Sequence, residues 1–114
     1  MNIRPIVIGI VSMGALALQA HADTATFCVQ KQAPSNYEKY NGATAIVVKS
    51  DNVSITMTVN YANGGEKTYK LPFLVNGMYS NEDTFVSVSF RSNDNEIYFS
   101  DPNRNDWFSA TKCG

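Results

Sequence analysis

The segment Val53-Ser54-Ile55-Thr56-Met57-Thr58-Val59-Asn60-Tyr61 alternates apolar and polar side chains over nine positions. Successive side chains of a β-strand point to opposite faces of a sheet, so this period of two is typical of a strand with one buried face. Residues 43–49, just before it, are rich in β-branched side chains, and polar turn residues 50–52 separate the two runs. The sequence therefore predicts a β-hairpin over residues 43–61.

The chain after this hairpin continues as short strands separated by turn sequences such as Asn63-Gly64-Gly65 and Asn76-Gly77. Pro72 lacks the N–H that a β-ladder needs, so we expect it to mark a break or an edge. Eight strands are predicted, at 27–30, 43–49, 53–61, 66–71, 73–75, 84–91, 96–100 and 107–112. Their number and spacing favour an all-β fold, either a small antiparallel β-barrel or a sandwich.

One internal segment, residues 31–41, has no clear period. Both a long loop and a short helical turn remain open for it. Its two tyrosines, Tyr37 and Tyr40, are expected to cover one end of the barrel rather than to bind a ligand.

The first 22 residues are predicted to be a secretory signal peptide. Arg4 precedes an uncharged apolar run at 6–18, and Ala20-His21-Ala22 places small residues two positions apart, as signal peptidase requires. The apolar run is too short for a bilayer that needs roughly 20 residues, although an uncleaved anchor is the alternative. We therefore expect an exported protein, periplasmic or secreted, whose mature domain is 23–114 and has no membrane span.

The composition of the predicted mature domain excludes several kinds of chemistry. The only histidine and one of the nine basic residues fall within the signal segment, which leaves eight basic and ten acidic residues and a net charge of −2. Histidine-activated nucleophiles and histidine-based zinc sites are therefore excluded. No basic patch for nucleic acid is evident. We predict no enzyme activity, no catalytic residues, no metal and no cofactor.

The two cysteines, Cys28 and Cys113, lie near the two ends of the predicted domain. An exported protein folds in an oxidising compartment, and two cysteines allow a single intramolecular pairing. We predict a Cys28–Cys113 disulfide, with free or intermolecular thiols as the alternative. Joining the first and last strands in this way favours a closed or nearly closed barrel.

With no catalytic constellation, binding is expected to reside in the loops that a rigid barrel presents. Two loops carry residue types that are enriched at protein interfaces. The first is an Asn-Gly turn followed by an exposed methionine and tyrosine, and the second is a polar connection between two strands. The predicted target-binding residues are Asn76, Gly77, Met78, Tyr79, Arg91, Ser92 and Asn93. The alternative is that both are ordinary hairpin ends, with Met78 and Tyr79 partly packed.

The layout resembles the periplasmic and membrane-bound inhibitors of c-type lysozyme, the MliC-like family. The pieces of that family are an aromatic-x-Cys-like first strand, hairpins, a Ser-Gly-x-x-Tyr-like loop, an aromatic strand that ends in a polar Ser-Lys-Gly-Asp-Glu-like turn, and a last strand that ends in a second cysteine. They correspond here to Phe27-Cys28, 53–61, Asn76-Gly77-Met78-Tyr79, 90–96 and Lys112-Cys113. The resemblance implies an eight-stranded antiparallel barrel that inserts a loop into the lysozyme cleft.

In that family, a loop serine and a turn lysine usually contact the catalytic carboxylates of the enzyme. This chain has Asn76 and Asn93 at those places. An asparagine amide can donate a hydrogen bond to a carboxylate, but it carries no charge, and a charge-assisted bond is roughly twice as strong. Arg91 is the candidate replacement for the missing cation.

The predicted function is therefore binding and inhibition of a peptidoglycan-cleaving enzyme. The protein partner would be a lysozyme or a lysozyme-like effector against which this chain acts as an immunity protein. The alternative is a secreted glycan- or receptor-binding module, similar to a toxin subunit, that presents Trp107 or tyrosines to a sugar. A monomer or homodimer is expected for the inhibitor, whereas glycan-binding subunits usually form rings.

Overall fold

The computed structural model describes residues 22–50 and 53–114 and contains a closed antiparallel barrel of eight strands in sequence order. The strands are β1 (Ala22–Gln32), β2 (Thr44–Ser50), β3 (Ser54–Asn60), β4 (Glu66–Val75), β5 (Met78–Asn81), β6 (Val86–Arg91), β7 (Glu96–Asp101) and β8 (Asp106–Lys112). β8 pairs with β1 and closes the barrel. The predicted all-β barrel of about eight strands is confirmed.

The period of two in β3 sets its burial. Ile55, Met57 and Val59 are fully buried inside the barrel, whereas the polar residues between them are half-buried on the outer side. The same alternation along the other strands fills the interior with aliphatic and aromatic side chains, including Phe27, Phe99 and Phe108. The core therefore occupies the lumen of the barrel, as expected for a small eight-stranded barrel.

The predicted disulfide between Cys28 and Cys113 is confirmed. It joins β1 to the residues that follow β8, across a sequence separation of 85. The backbone N–H of Cys113 also donates a hydrogen bond to the carbonyl oxygen of Thr26, at 2.9 Å. The C-terminal residues are thereby held against β1 by one covalent bond and one hydrogen bond.

Of the two outcomes expected at Pro72, a break in the strand is wrong, whereas an edge is confirmed, since Pro72 has no partner in β5. β4 runs unbroken from Glu66 to Val75, and Pro72 pairs with Ser54 of β3. The N–H of Phe73 points towards β3, where it donates to Val53 at 2.8 Å, so the nitrogen of Pro72 faces the opposite side. Because β5 does not pair with β4 at this position, no ladder hydrogen bond is lost there.

Residues 34–40 form a short helical cover, which settles the open choice for this segment. A 3-10 turn (Pro34–Asn36) leads into α1 (Tyr37–Tyr40). Tyr40 is fully buried and closes the barrel as predicted, whereas Tyr37 is 55% exposed and does not.

The antiparallel order gives the barrel two distinct ends. The helix end carries α1, the β3–β4 turn, the β5–β6 turn and a second 3-10 turn (Pro102–Arg104) between β7 and β8. The loop end carries the β2–β3, β4–β5 and β6–β7 connections and the C-terminal residues 113–114. These two names are used below.

Two predicted features fall partly outside the described residues. The predicted signal segment, 1–22, lies outside them except for Ala22, the first residue of β1. In the predicted turn at 50–52, Asp51 and Asn52 also lie outside them. Within residues 22–50 and 53–114, no helix has the length and apolar character needed to cross a membrane.

Candidate functional site

The two loops predicted to bind a target both lie at the loop end. Asn76 and Gly77 of the first loop and Asp94 of the second line one surface cavity there. The backbone N–H of Phe90, which precedes the second loop, donates a 2.7 Å hydrogen bond to the carbonyl oxygen of Gly77 in the first. Gly77 has a positive φ of 78°. An Asn-Gly turn adopts such a conformation readily because glycine has no Cβ.

The β6–β7 connection is a four-residue turn at 92–95, as predicted. Ser92, Asn93 and Asp94 all have positive φ, between 55° and 67°. Asparagine and aspartate tolerate this region better than most residues. The N–H of Asn95 donates to the carbonyl oxygen of Ser92 at 3.1 Å, and the Ser92 hydroxyl lies 3.4 Å from the Glu96 carboxylate. Both Ser92 and Asn93 are exposed at the tip of the turn.

The expectation that Tyr79 is exposed in a loop is wrong. Residues 78–81 form strand β5, and Tyr79 is only 2% exposed. Its ring packs edge-on between Phe73 and Phe90, with ring centroids 5.6 and 5.8 Å away. Tyr79 therefore supports the two loops from inside the barrel and cannot itself meet a partner.

Met78 and Arg91 both face the outside of the barrel wall. Met78 is half-buried and pairs with Ser89 of β6. Arg91 is exposed, and its guanidinium lies 4.9 Å from the ring centroid of Tyr98 on the outer face of β7. Arg91 therefore lies to the side of the two loops rather than between them.

The cation that lies between the two loops is Lys49, which sequence reasoning missed. Its Nζ atom is 3.2 Å from the carboxylate of Asp94 and 4.6 Å from the ring centroid of Phe90. Lys49 follows the buried residues Ala45 and Val47 at a spacing of two, and this alternation was the available signal. A surface cavity of about 290 Å³ is lined by Lys49, Phe73, Asn76, Gly77, Tyr79 and Asp94.

Beside this cavity, four large apolar side chains are exposed, and we call them the apolar patch: Val53, Phe73, Leu74 and Val75, at 67%, 45%, 40% and 55% exposure. The pairing between β4 and β5 shifts register between Phe73 and Val75, so β4 is irregular where it reaches the loop end. Exposed apolar side chains that lie next to one another are a common mark of an interaction surface.

The helix end, in contrast, contains a buried polar network centred on Asp106, which is 4% exposed. Its carboxylate accepts from the Tyr40 hydroxyl at 2.9 Å, Lys39 Nζ at 3.3 Å and Asn36 Nδ2 at 3.3 Å. Burial, and then the hydrogen bond to Asp106, raises the pKa of Tyr40 far above its usual value. This network ties α1 to β8 and was not foreseen, because its members are nearly 70 positions apart in sequence.

Within the part of the chain that the structure describes, no group of three or more His, Cys, Asp or Glu residues is arranged to hold a metal ion. No protein-family model, curated protein or solved structure matches this chain. The physical character of the loop end is therefore the basis for assigning a function.

Proposed function

We propose that this protein is exported and binds and inhibits a peptidoglycan-cleaving enzyme, with the loop end entering the active-site cleft. The enzyme would be a host lysozyme or a lysozyme-like effector of a rival bacterium. The observation that carries the proposal is the single surface cavity that the Asn76-Gly77 turn and Asp94 of the 92–95 turn line together. Each of the two turns also carries an exposed asparagine, Asn76 or Asn93, at this end of the barrel.

The exposed amides of Asn76 and Asn93 are the groups proposed to meet the catalytic carboxylates. Each can donate N–H hydrogen bonds to an ionised carboxylate, which only accepts. Lys49 supplies a positive charge close to both turns, although Asp94 neutralises part of it at 3.2 Å. Lys49 rather than Arg91 is therefore the proposed replacement for the cation that the resemblance leads us to expect.

The apolar patch is proposed to form the water-excluding part of the same interface. Interfaces are enriched in aromatic side chains at their buried centre, and polar contacts gain strength when water is excluded. Phe73 is central to this role because one of its sides packs on Tyr79 while 45% of it remains exposed. A partner would therefore meet an apolar surface that is already held in place.

The experiment is a turbidity assay of cell-wall digestion with a panel of lysozymes and lysozyme-like effectors and with purified protein. The test variant is Asn76→Asp with Asn93→Asp, which places two negative charges opposite the catalytic carboxylates. The control is Ser35→Asp with Asn41→Asp, which adds the same charge at exposed positions of the helix end. We expect inhibition to fall at least tenfold for the loop-end variant alone. If no enzyme is inhibited, or both variants act alike, the proposal fails.

A glycan-binding module is the second candidate, and one feature favours it. On the outer wall, the Tyr98 and Trp107 rings stack at 26° with centroids 6.1 Å apart, and the Arg91 guanidinium lies 4.9 Å from the Tyr98 ring centroid. Neighbouring positions on these strands are serines, which leave room above the rings. Light scattering separates the candidates, because a ring of subunits would favour glycan binding and a monomer or homodimer would favour inhibition.

A further inference from the structure

Two aspartates lie directly opposite each other on β7 and β8 and are both buried, yet their surroundings differ. Asp106 accepts hydrogen bonds from three side chains. Its cross-strand neighbour Asp101 is 6% exposed. Within residues 22–50 and 53–114, the carboxylate of Asp101 accepts no side-chain hydrogen bond, and its ion-pair partner is Arg104, whose Nε lies 3.8 Å away. That separation is too long for a hydrogen bond, and Arg104 is largely exposed.

A buried carboxylate without donors is costly, since burial removes water that would otherwise solvate the charge. Asp101 follows Ile97 and Phe99 on the inward face of β7, so its side chain points into the barrel. At this point it faces a cavity of about 360 Å³. A cavity of this volume is within the range of small-molecule sites.

The cavity lies where the neighbouring strands β4 and β5 are not paired with each other. Residues 66–72 of β4 pair with β3, whereas β5 pairs with β4 only at Phe73 and Val75. The gap leaves Tyr69 and Leu71 along one wall and the β5–β6 turn along the other. The opposite wall is fixed, because Asn103 Nδ2 donates to the carbonyl oxygen of Thr84 at 2.9 Å.

The rim of this cavity is mainly cationic. Lys67, Lys70 and Arg104 line it, and among the residues that the structure describes Asp101 is the only acidic one that does so. Lys67 Nζ lies 5.0 Å from the ring centroid of Tyr69, and the Tyr69 ring packs on Phe99, so both hold defined positions. A ligand here needs neutral donors for Asp101 and a negative charge for the rim.

We propose that this cavity binds an acidic saccharide unit, whose hydroxyl groups donate to Asp101 and whose carboxylate meets Lys67 and Arg104. Hydroxyls supply the donors that Asp101 lacks without adding positive charge beside the lysines. An amine or amino-acid ligand would place its ammonium group among three cations. The site is separate from the loop end and does not depend on the proposed inhibition.

The test is isothermal titration of the purified protein with glucuronic acid, with glucose as the matched neutral sugar. We expect glucuronic acid to bind at least tenfold more tightly than glucose. Asp101→Asn, which keeps the side-chain volume, and Arg104→Gln should each weaken binding at least tenfold. Lys31→Gln, which removes an exposed charge on the outer side of β1, should leave it unchanged.

Two outcomes would overturn the proposal. The first is the absence of glucuronic acid binding to the wild-type protein, which would mean that water alone donates hydrogen bonds to the Asp101 carboxylate. The second is equal binding by the wild type, Asp101→Asn and Arg104→Gln. Thermal melting of each variant checks its folding, and if Asp101→Asn does not fold, Arg104→Gln and Lys67→Gln decide the question. Glutamate as an added probe tests the amino-acid class, and tighter binding of glutamate than of glucuronic acid would also contradict the proposal.

Discussion

The two ends of the barrel are built in different ways. At the helix end, Tyr40 is fully buried and Asp106 takes three hydrogen bonds from the residues around α1. At the loop end, the apolar patch is exposed, and the asparagines at the turn tips face solvent. The Asp106 network uses its polar groups in internal contacts, whereas the turn tips and the apolar patch leave theirs exposed. This difference assigns a stabilising role to the Asp106 network and protein binding to the loop end.

The largest expected effect comes from the disulfide, which holds the C-terminal residues against β1. Cys28→Ser with Cys113→Ser releases a loop of 85 residues in the unfolded chain. We expect the free energy of unfolding to fall by about 4.5 kcal/mol, on the chain-entropy estimate. Urea denaturation followed by Trp107 fluorescence measures this. Reduced wild-type protein should match the variant, and a clear difference between them would contradict the entropic account.

A comparison of two aspartates addresses the two ends directly. Asp106→Ala removes three hydrogen bonds and leaves the buried Tyr40 hydroxyl without its acceptor. We therefore expect the free energy of unfolding to fall by about 3 kcal/mol. The matched change at the loop end, Asp94→Ala, removes an exposed ion pair with Lys49 and should cost less than about 1 kcal/mol. If urea denaturation shows that Asp106→Ala and Asp94→Ala lower the free energy of unfolding equally, the distinction between the two ends fails.

Tyr40→Phe should lower the free energy of unfolding by less, about 1 kcal/mol at neutral pH, because Asp106 keeps its hydrogen bonds to Asn36 and Lys39. The effect depends on pH. Since the folded pKa of Tyr40 is raised above the ordinary value of 10.0, its contribution is complete below pH 10. Above that pH the unfolded phenol loses its proton first, so the stability falls as pH rises.

The measurement is the unfolding free energy of wild type and Tyr40→Phe at pH 7, 9 and 11. The difference between them should be constant up to about pH 10 and shrink above it. Burial also raises the pKa of Tyr69. Tyr69 therefore lowers the unfolding free energy of both proteins alike at alkaline pH. A difference that grows with pH would contradict the assignment.

The smallest expected effect on folding is at the apolar patch. Leu74→Ala should change the unfolding free energy by less than about 1 kcal/mol, because Leu74 is already 40% exposed. Leu71, three residues earlier on the same strand, is 2% exposed, and Leu71→Ala should cost about 2–5 kcal/mol. Denaturant titration of the pair tests whether the patch serves folding. A large loss for Leu74→Ala would mean that it does.

The barrel could be predicted because its signal is local. The alternation in 53–61 is a property of one strand, and two cysteines in a chain admit one intramolecular bond. The predictions that failed depend on which strand lies beside which. Pro72 is tolerated because β5 does not pair beside it, and Tyr79 is buried because the Asn-Gly turn is shorter than the predicted loop.

The polar contacts that distinguish the two ends could not be predicted from the sequence either. Asp106 and Tyr40 are 66 positions apart, and Lys49 meets Asp94 across 45 positions. Nothing in the sequence around any of these residues indicates its partner, because each contact arises only when the barrel closes. The two candidate loops could be found from their residue types, but the cavity that they line together could not.

Hydrogen–deuterium exchange of the purified protein, alone and with each enzyme of the panel, tests the central assignment most directly. If the loop end is the binding surface, an inhibited enzyme will slow exchange at residues 73–79 and 90–95 and leave 34–41 unchanged. Protection confined to residues 34–41 or to the outer wall around Trp107, or no protection with any enzyme, would contradict it.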